Sequence, residues 1–176
     1  MYAVIATLDE RTNQKIKGLW RELKDLSLSD YAYQVKDRKP HITLADFETD
    51  AIEEVLEKLT GKLHLSLSLD LPLQSIGSFL GSSIIFLSPT KTPELVKLHE
   101  QVHDLLGKLI ASDSQYSPQI WVPHLTIANR IEEDKLAMIY TYCLKNLNMT
   151  RGQINALKVI AIDEQGQVKE ICQFTT

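Results

Sequence analysis

The sequence predicts an α+β fold built as two similar lobes, and three observations predict it. The stretch Pro40-His41-Ile42-Thr43-Leu44-Ala45 returns as Pro123-His124-Leu125-Thr126-Ile127-Ala128, a shift of 83 residues. Amphipathic and alternating segments follow the same order in both halves: strand, helix, strand, helix, strands. No low-complexity segment or flexible linker separates the halves, so residues 1–176 read as one domain with an internal pseudo-repeat, about 1–83 and 84–176. Each lobe is then a sheet with helices on its outer face, and the inner sheet faces form a cleft. An exchange of strands between the lobes is compatible with this order.

Residues 2–8 alternate and are rich in Val, Ile and Thr, which reads as a strand. Asp9 to about Leu26 reads as a helix, with Ile16, Leu19, Trp20 and Leu23 at helical spacing. Residues 31–36 suggest a short strand, and the basic cluster Lys36-Asp37-Arg38-Lys39 leads into the first repeated stretch, a strand to Phe47. Thr49 or Asp50 is placed to cap a helix over 51–60. Leu63, Leu65, Leu67, Leu69 and Leu71 alternate with polar residues as a half-exposed strand, and Leu73 to Phe79 forms another after a break at Pro72. Gly77 to Ser83 reads as a turn and Ile84 to Leu87 as a buried strand. Pro93 starts a helix to about Ile110, with Leu95, Leu98, Val102, Leu105, Leu106 and Leu109 apolar. Ser112 to Pro118 is loop. Ile131 to Leu147 is a helix, and two strands flank Glu164-Gln165-Gly166.

Within each repeated stretch the side-chain period of a strand puts His and Thr on one face. The apolar residues between and after them point into a core. Five His and twelve Thr in 176 residues give roughly 0.3 chance occurrences of His-x-Thr. Two occur, and their flanking Pro, aliphatic and Ala positions agree as well. Two imidazoles across a cleft suit paired general acid–base catalysis, since each titrates near neutral pH. Two Thr hydroxyls can hold a phosphoryl group between them. No metal is needed for this chemistry.

Bulk properties narrow the setting. The chain is 44% apolar and 24% charged with a net charge of −4, so the whole surface is no trap for nucleic acid and phosphate binding has to be local. The first residues lack the basic start of a signal peptide, and no apolar run approaches a membrane span. Cys143 and Cys172 have no CxxC spacing. A cytoplasmic protein without disulfides is expected.

The paired His-x-Thr-aliphatic motifs in a duplicated chain resemble the two-histidine phosphoesterase superfamily. Its members include 2′-5′ RNA ligase-like proteins and 2′,3′-cyclic nucleotide phosphodiesterases. Ser75-Ile76-Gly77-Ser78-Phe79 followed by Ile84-Ile85-Phe86-Leu87 resembles that family's hairpin. The resemblance covers most of the chain. It implies two antiparallel sheets around a central groove and a metal-independent phosphoesterase without cofactors, acting as a monomer. It also implies RNA or a small cyclic or 2′-5′ nucleotide as substrate, His41 and His124 as the acid–base pair, and Thr43 and Thr126 as phosphate ligands. Lys39 and Arg130, with Lys36 and Arg38, flank the motifs and are placed to attract phosphate; Tyr31, Tyr33, Phe79, Tyr116 and Trp121 are placed to stack on a base.

Two other readings stand beside this one. The scaffold can bind RNA or a nucleotide without turning it over, although binding alone does not need both histidines. His99-Glu100-Gln101-Val102-His103 is a literal H-E-x-x-H, the zinc-hydrolase spacing on a helix. Cys143 lies in an apolar helical pattern and reads as a core residue, not a nucleophile.

Overall fold

The computed structural model describes residues 1–63, 68–148 and 150–175. Within them the chain forms seven strands and four helices. The strands are β1 (Tyr2–Leu8), β2 (His41–Phe47), β3 (Leu69–Gly77), β4 (Ile85–Pro89), β5 (Leu125–Ala128), β6 (Arg151–Ile162) and β7 (Val168–Thr175). The helices are α1 (Glu10–Asp25), α2 (Ile52–Lys62), α3 (Pro93–Leu106) and α4 (Glu133–Asn146). Every described strand pairing is antiparallel. The order is β2-β1-β6-β3-β4-β5, with β7 added to β6. The fold is thus α+β and bilobal, one lobe on β2-β1-β6-β7 and the other on β3-β4-β5.

The lobes have matching centres. Strand β1 lies between β2 and β6, and β4 lies between β5 and β3. Strand β6 comes from the end of the chain, yet it completes the sheet of the first strands. Strand β3 joins the two sheets: Leu69 to Pro72 pair with β6, and Leu73 to Gly77 pair with β4. The expected break at Pro72 is therefore not a break. The strand runs through Pro72 at the point where it changes partner, and the Pro72 carbonyl accepts from the Thr90 amide. A residue without an N–H fits best where a ladder is handed over. Of the alternating stretch 63–71, residues 64–67 lie outside the described residues.

One face of the sheets is packed by the helices. Val4, Ala6, Leu8, Ile42, Leu44, Ile85 and Leu87 enter one continuous core with Ile16, Leu19 and Trp20 of α1 and Leu95, Leu98 and Val102 of α3. On the opposite face Ala3, Ile5 and Ile160 form a small apolar patch. The N-termini of α1 and α3 are capped by the side chains of Asp9 and Thr92. The expected cap of α2 is different: Ala51 occupies the N-cap, and Thr49 instead accepts from the Ala51 amide. Helix α3 stops at Leu106 because Gly107 turns to φ +56°, and a 3-10 turn carries the chain to Leu109.

The short strand expected over 31–36 is replaced by a 3-10 turn at Tyr31–Tyr33. The Tyr31 ring is buried, edge-on to Trp20, with the Arg38 guanidinium 4.1 Å from its centre. Asp37 then reverses the chain at φ +53°. Anchoring this aromatic ring takes the segment out of the extended conformation its composition suggested.

Candidate active site

Strands β2 and β5 present their motifs in the same way. His41 and Thr43 are half-buried while Ile42 and Leu44 are fully buried; His124 and Thr126 are half-buried while Leu125 and Ile127 are buried. In the β1–β2 ladder Thr7 sits opposite His41 and Ile5 opposite Thr43. In the β4–β5 ladder Phe86 sits opposite Thr126. Both motif strands carry a bulge one residue after the threonine, at Leu44 and at Ile127, where the register slips against β1 and β4. The bulge ends the simple alternation, so Leu44 and Ala45 are both buried, as are Ile127 and Ala128. The second motif differs slightly from expectation, because β5 begins at Leu125 and His124 stands just ahead of it.

The two imidazoles are held identically. His41 Nδ1 lies 2.8 Å from the Lys39 carbonyl, and His124 Nδ1 lies 2.8 Å from the Val122 carbonyl. A carbonyl only accepts, so each Nδ1 carries the proton. Each neutral ring therefore keeps its lone pair on Nε2. Burial pulls both imidazoles below their ordinary pKa of 6.5. For His41 the positive charges of Arg38 and of His124 itself add to this lowering, while the bond to Lys39 opposes it. The His124 charge thus reaches the His41 imidazole. For His124 the burial comes from two aromatic rings: Phe79 is edge-on at 5.2 Å and Phe86 at 5.3 Å.

A cavity of about 390 Å³ opens beside His41, with Ile5, Thr7 and Lys158 in its floor and Lys36, Arg38 and Lys39 in its wall. Of the basic residues expected near phosphate, Lys36, Arg38 and Lys39 are therefore at the His41 end. Arg130, at φ +56° just after the second motif strand, lines a separate cavity with Lys24, Ser29 and Lys135. Of the five aromatics, Phe79 reaches a motif histidine. Tyr31 and Trp121 are buried in the core, and Tyr33 lies under the Lys24 ammonium at 3.9 Å. Tyr116 is half-buried; burial raises its phenol, opposed by a hydrogen bond with the Thr43 side chain.

The H-E-x-x-H segment does other work. His103 Nε2 lies 3.1 Å from the Leu44 carbonyl, and His99 Nε2 lies 2.8 Å from the Tyr116 carbonyl. The Nε2 atom of each ring therefore donates to backbone and is not available to a metal. His99 is also stacked on Trp121, ring centres 3.8 Å apart, and Glu100 is exposed on the far side of the helix. Trp121 Nε1 in turn donates to the Thr43 carbonyl at 3.1 Å. Strand β2 is an edge strand whose carbonyls at the bulge have no strand partner on that side, and these side chains supply one. The zinc-site reading is overturned, since the helix clamps the backbone of the first motif. Cys143 is fully buried, and burial pushes its thiol up to about 12, which suits a core residue.

The family model of the 2′-5′ RNA ligase superfamily matches residues 13–166 of this chain. The chain belongs to the 2′-5′ RNA ligase superfamily. Among sequence relatives, a phosphoesterase candidate of Bacillus cereus (strain G9842) is 34% identical over 100 residues, 53% of this chain and 54% of the relative. A second, from Bacillus cytotoxicus, is 32% identical over 104 residues, 57% of each chain. The chain thus matches only a little over half the length of these curated relatives. Among solved structures, Escherichia coli LigT with 3′-AMP superposes with a TM-score of 0.66 at 14% identity, covering 99% of this chain and 96% of LigT. A protein of Thermus thermophilus gives 0.63 at 13% identity, with 99% and 96% coverage. At these identities the likeness is one of fold.

Sequence reasoning missed three features of this superfamily member's site. Phe86 is a buried strand residue, as read, but its contact with His124 was not foreseen. Lys158 read as an ordinary strand residue and is 9% exposed in the floor of the His41 cavity, ion-paired with Glu170 at 2.6 Å. The clamp from α3 and Trp121 had no local signal at all. A lysine in the middle of the apolar run Ala156 to Ile162 was the one available hint, because an unpaired charge rarely lies there.

Proposed function

We propose that this chain is a metal-independent phosphoesterase that opens 2′,3′-cyclic phosphates, or cleaves 2′-5′ linkages, in RNA or small nucleotides. One observation carries the reading. Both motif histidines are pinned through Nδ1 to the carbonyl two residues upstream, which leaves two matched Nε2 atoms for a substrate lying between them. The crystallisation of LigT, which shares the fold, with 3′-AMP supports a nucleotide in this groove.

In the proposed step, water attacks phosphorus and passes a proton to the Nε2 lone pair of one neutral histidine. The bond from phosphorus to the 2′ or 3′ oxygen breaks, and that oxygen takes a proton from Nε2 of the other, charged histidine. Proton transfer between the rings through product and solvent restores the pair. Thr43 and Thr126 donate to the non-bridging oxygens, where charge accumulates. Burial favours the neutral form of both rings, and the Arg38 charge adds to this at His41, which supports His41 as the base and His124 as the acid for hydrolysis. Unpaired Cys143 and Cys172 fit a reducing cytoplasm.

The test is hydrolysis of the four nucleoside 2′,3′-cyclic monophosphates in excess EDTA. His41→Ala and His124→Ala should each lower kcat/KM by about 10²- to 10⁴-fold. Near-full activity in either variant would sink the assignment. Tight binding by the wild-type chain with no turnover of cyclic or 2′-5′ linked substrates would make the protein a binding module on this scaffold.

A further inference from the structure

The two ends of the groove are built from matching strands but opposite chemistry. At the His124 end, the residue paired with Phe86 on the neighbouring strand is Gly77. A Cβ there would meet the Phe86 ring at 2.7 Å, so this floor is a closed aromatic surface. At the His41 end, the residue paired with Ile5 in the corresponding register is Lys158. Ile5 holds the place opposite Thr43 that Phe86 holds opposite Thr126. An ammonium thus occupies the position that is glycine in the other lobe.

This ammonium is under-used by the protein. Lys158 is 9% exposed, and among the described residues its one hydrogen bond is to Glu170 Oε2 at 2.6 Å. An ammonium has three donors and is costly to bury without acceptors. The cavity it floors is also lined by Lys36, Arg38 and Lys39, against Asp37 and Glu170, so cations outnumber carboxylates four to two. The whole chain carries −4, which makes this a local reversal of sign. Among the described residues, no strand of the other lobe matches β7, which supplies Glu170.

We infer that the Lys158 cavity is a second anion subsite, which takes a phosphoryl group of the substrate other than the one being cleaved. This rests on the proposed phosphoesterase reading and names its substrate class: nucleotides or oligonucleotides with a further phosphate near the scissile one. Lys158 stands two strands from Thr43, across Ile5, which is about 10 Å at the usual inter-strand spacing. A phosphate on the far side of the same ribose, or on the neighbouring nucleotide, spans such a gap. At the other end the residues matching Ile5 and Lys158 are Phe86 and Gly77, which carry no charge. The substrate therefore lies with its charged end over Ile5 and Lys158.

The experiment compares kcat/KM for adenosine 2′,3′-cyclic monophosphate, its 5′-phosphorylated form and a dinucleotide ending in a 2′,3′-cyclic phosphate. The wild-type chain should prefer at least one phosphorylated substrate by about tenfold or more, the yield expected of charge-assisted hydrogen bonds. The preferred arm tells a terminal phosphate from an internucleotide one. In Lys158→Met the preference should fall to near one, and in Lys158→Met/Glu170→Gln it should stay there, which excludes repulsion by a stranded carboxylate. Lys36→Met reports on the same cavity if Lys158 variants unfold in a thermal scan, and the surface variant Lys97→Met should keep the preference. A parallel calorimetric titration compares adenosine 3′,5′-bisphosphate with 3′-AMP. Turnover without any preference for a second phosphate, or a preference that survives loss of Lys158 and Lys36, would overturn the subsite and leave the phosphoesterase reading intact. Lys158-dependent tighter binding of the bisphosphate without turnover would keep the subsite and remove the phosphoesterase reading. Equal affinities without turnover would remove both.

Discussion

His99 makes the fold sensitive to acid by a calculable amount. Its imidazole is 1% exposed and stacked on Trp121. Burial, with the charges of His103 and Lys91, lowers it from 6.5 to about 4. In the unfolded chain the ring takes up a proton near 6.5. Between these two values the unfolded state binds more protons, so stability is complete above about pH 6.5 and is lost as pH falls towards 4. At about 1.4 kcal/mol per pH unit this single group removes about 3 kcal/mol over that window. A loss of this size is a large part of the 5–15 kcal/mol typical of a domain. The perturbation is His99→Phe, which keeps an aromatic ring on Trp121 and removes the titrating nitrogen. The Tyr116 carbonyl loses its donor, so the variant should be less stable at neutral pH by about 1–3 kcal/mol. Urea unfolding from neutral pH down to about pH 4 reads both effects. The wild type should lose about 3 kcal/mol more than the variant over that range. Parallel pH profiles for the two proteins would refute the reasoning, because the lost proton site would then not be the one that titrates.

Two further outcomes bear on the groove. Phe79 is one of the rings that desolvate His124, so Phe79→Ala should move the His124 pKa up towards 6.5 and shift the alkaline limb of the kcat/KM profile to higher pH; an NMR titration of the ring protons checks it, and an unmoved pKa would show that the ring does not shield the imidazole. Gly77→Ala places a methyl 2.7 Å from the Phe86 ring and must displace that ring from His124, so kcat/KM should fall with a stability loss of about 1–3 kcal/mol; wild-type kinetics at wild-type stability would mean that the ring position is immaterial.

How much of this was legible in the sequence follows from how local each signal is. His41 and Thr43 share a face because a strand alternates, and the motif states this within three residues. Helices α1 and α3 show as apolar spacing, with Pro93 marking the start of α3. The bulges at Leu44 and Ile127 are different, because they exist only against β1 and β4. The handover at Pro72 likewise needs β6, which lies more than seventy residues later in the chain. His99 and His103 present the strongest local motif for metal, yet the Leu44 and Tyr116 carbonyls take both nitrogens. A local pattern names the groups available, and tertiary contact decides which atoms remain free.

The same distinction bears on what a duplicated site can do. Two copies of Pro-His-x-Thr supply two equal imidazoles, each with Nδ1 fixed and Nε2 free. Equal groups alone give no direction to a reaction that needs one proton acceptor and one proton donor. In the proposed reaction, direction would come from the strands beside the motifs, which are not copies of one another in chemistry. Beside His41 stand Arg38, Ile5 and Lys158; beside His124 stand Phe79, Phe86 and Gly77. Cations near one ring favour its neutral form, while aromatic walls near the other offer a seat for an uncharged part of the substrate. In the proposed reaction, the asymmetry that would assign base and acid is the asymmetry that would orient the substrate. Moving a lysine to position 77 or an aromatic residue to position 158 should disturb polarity and specificity together.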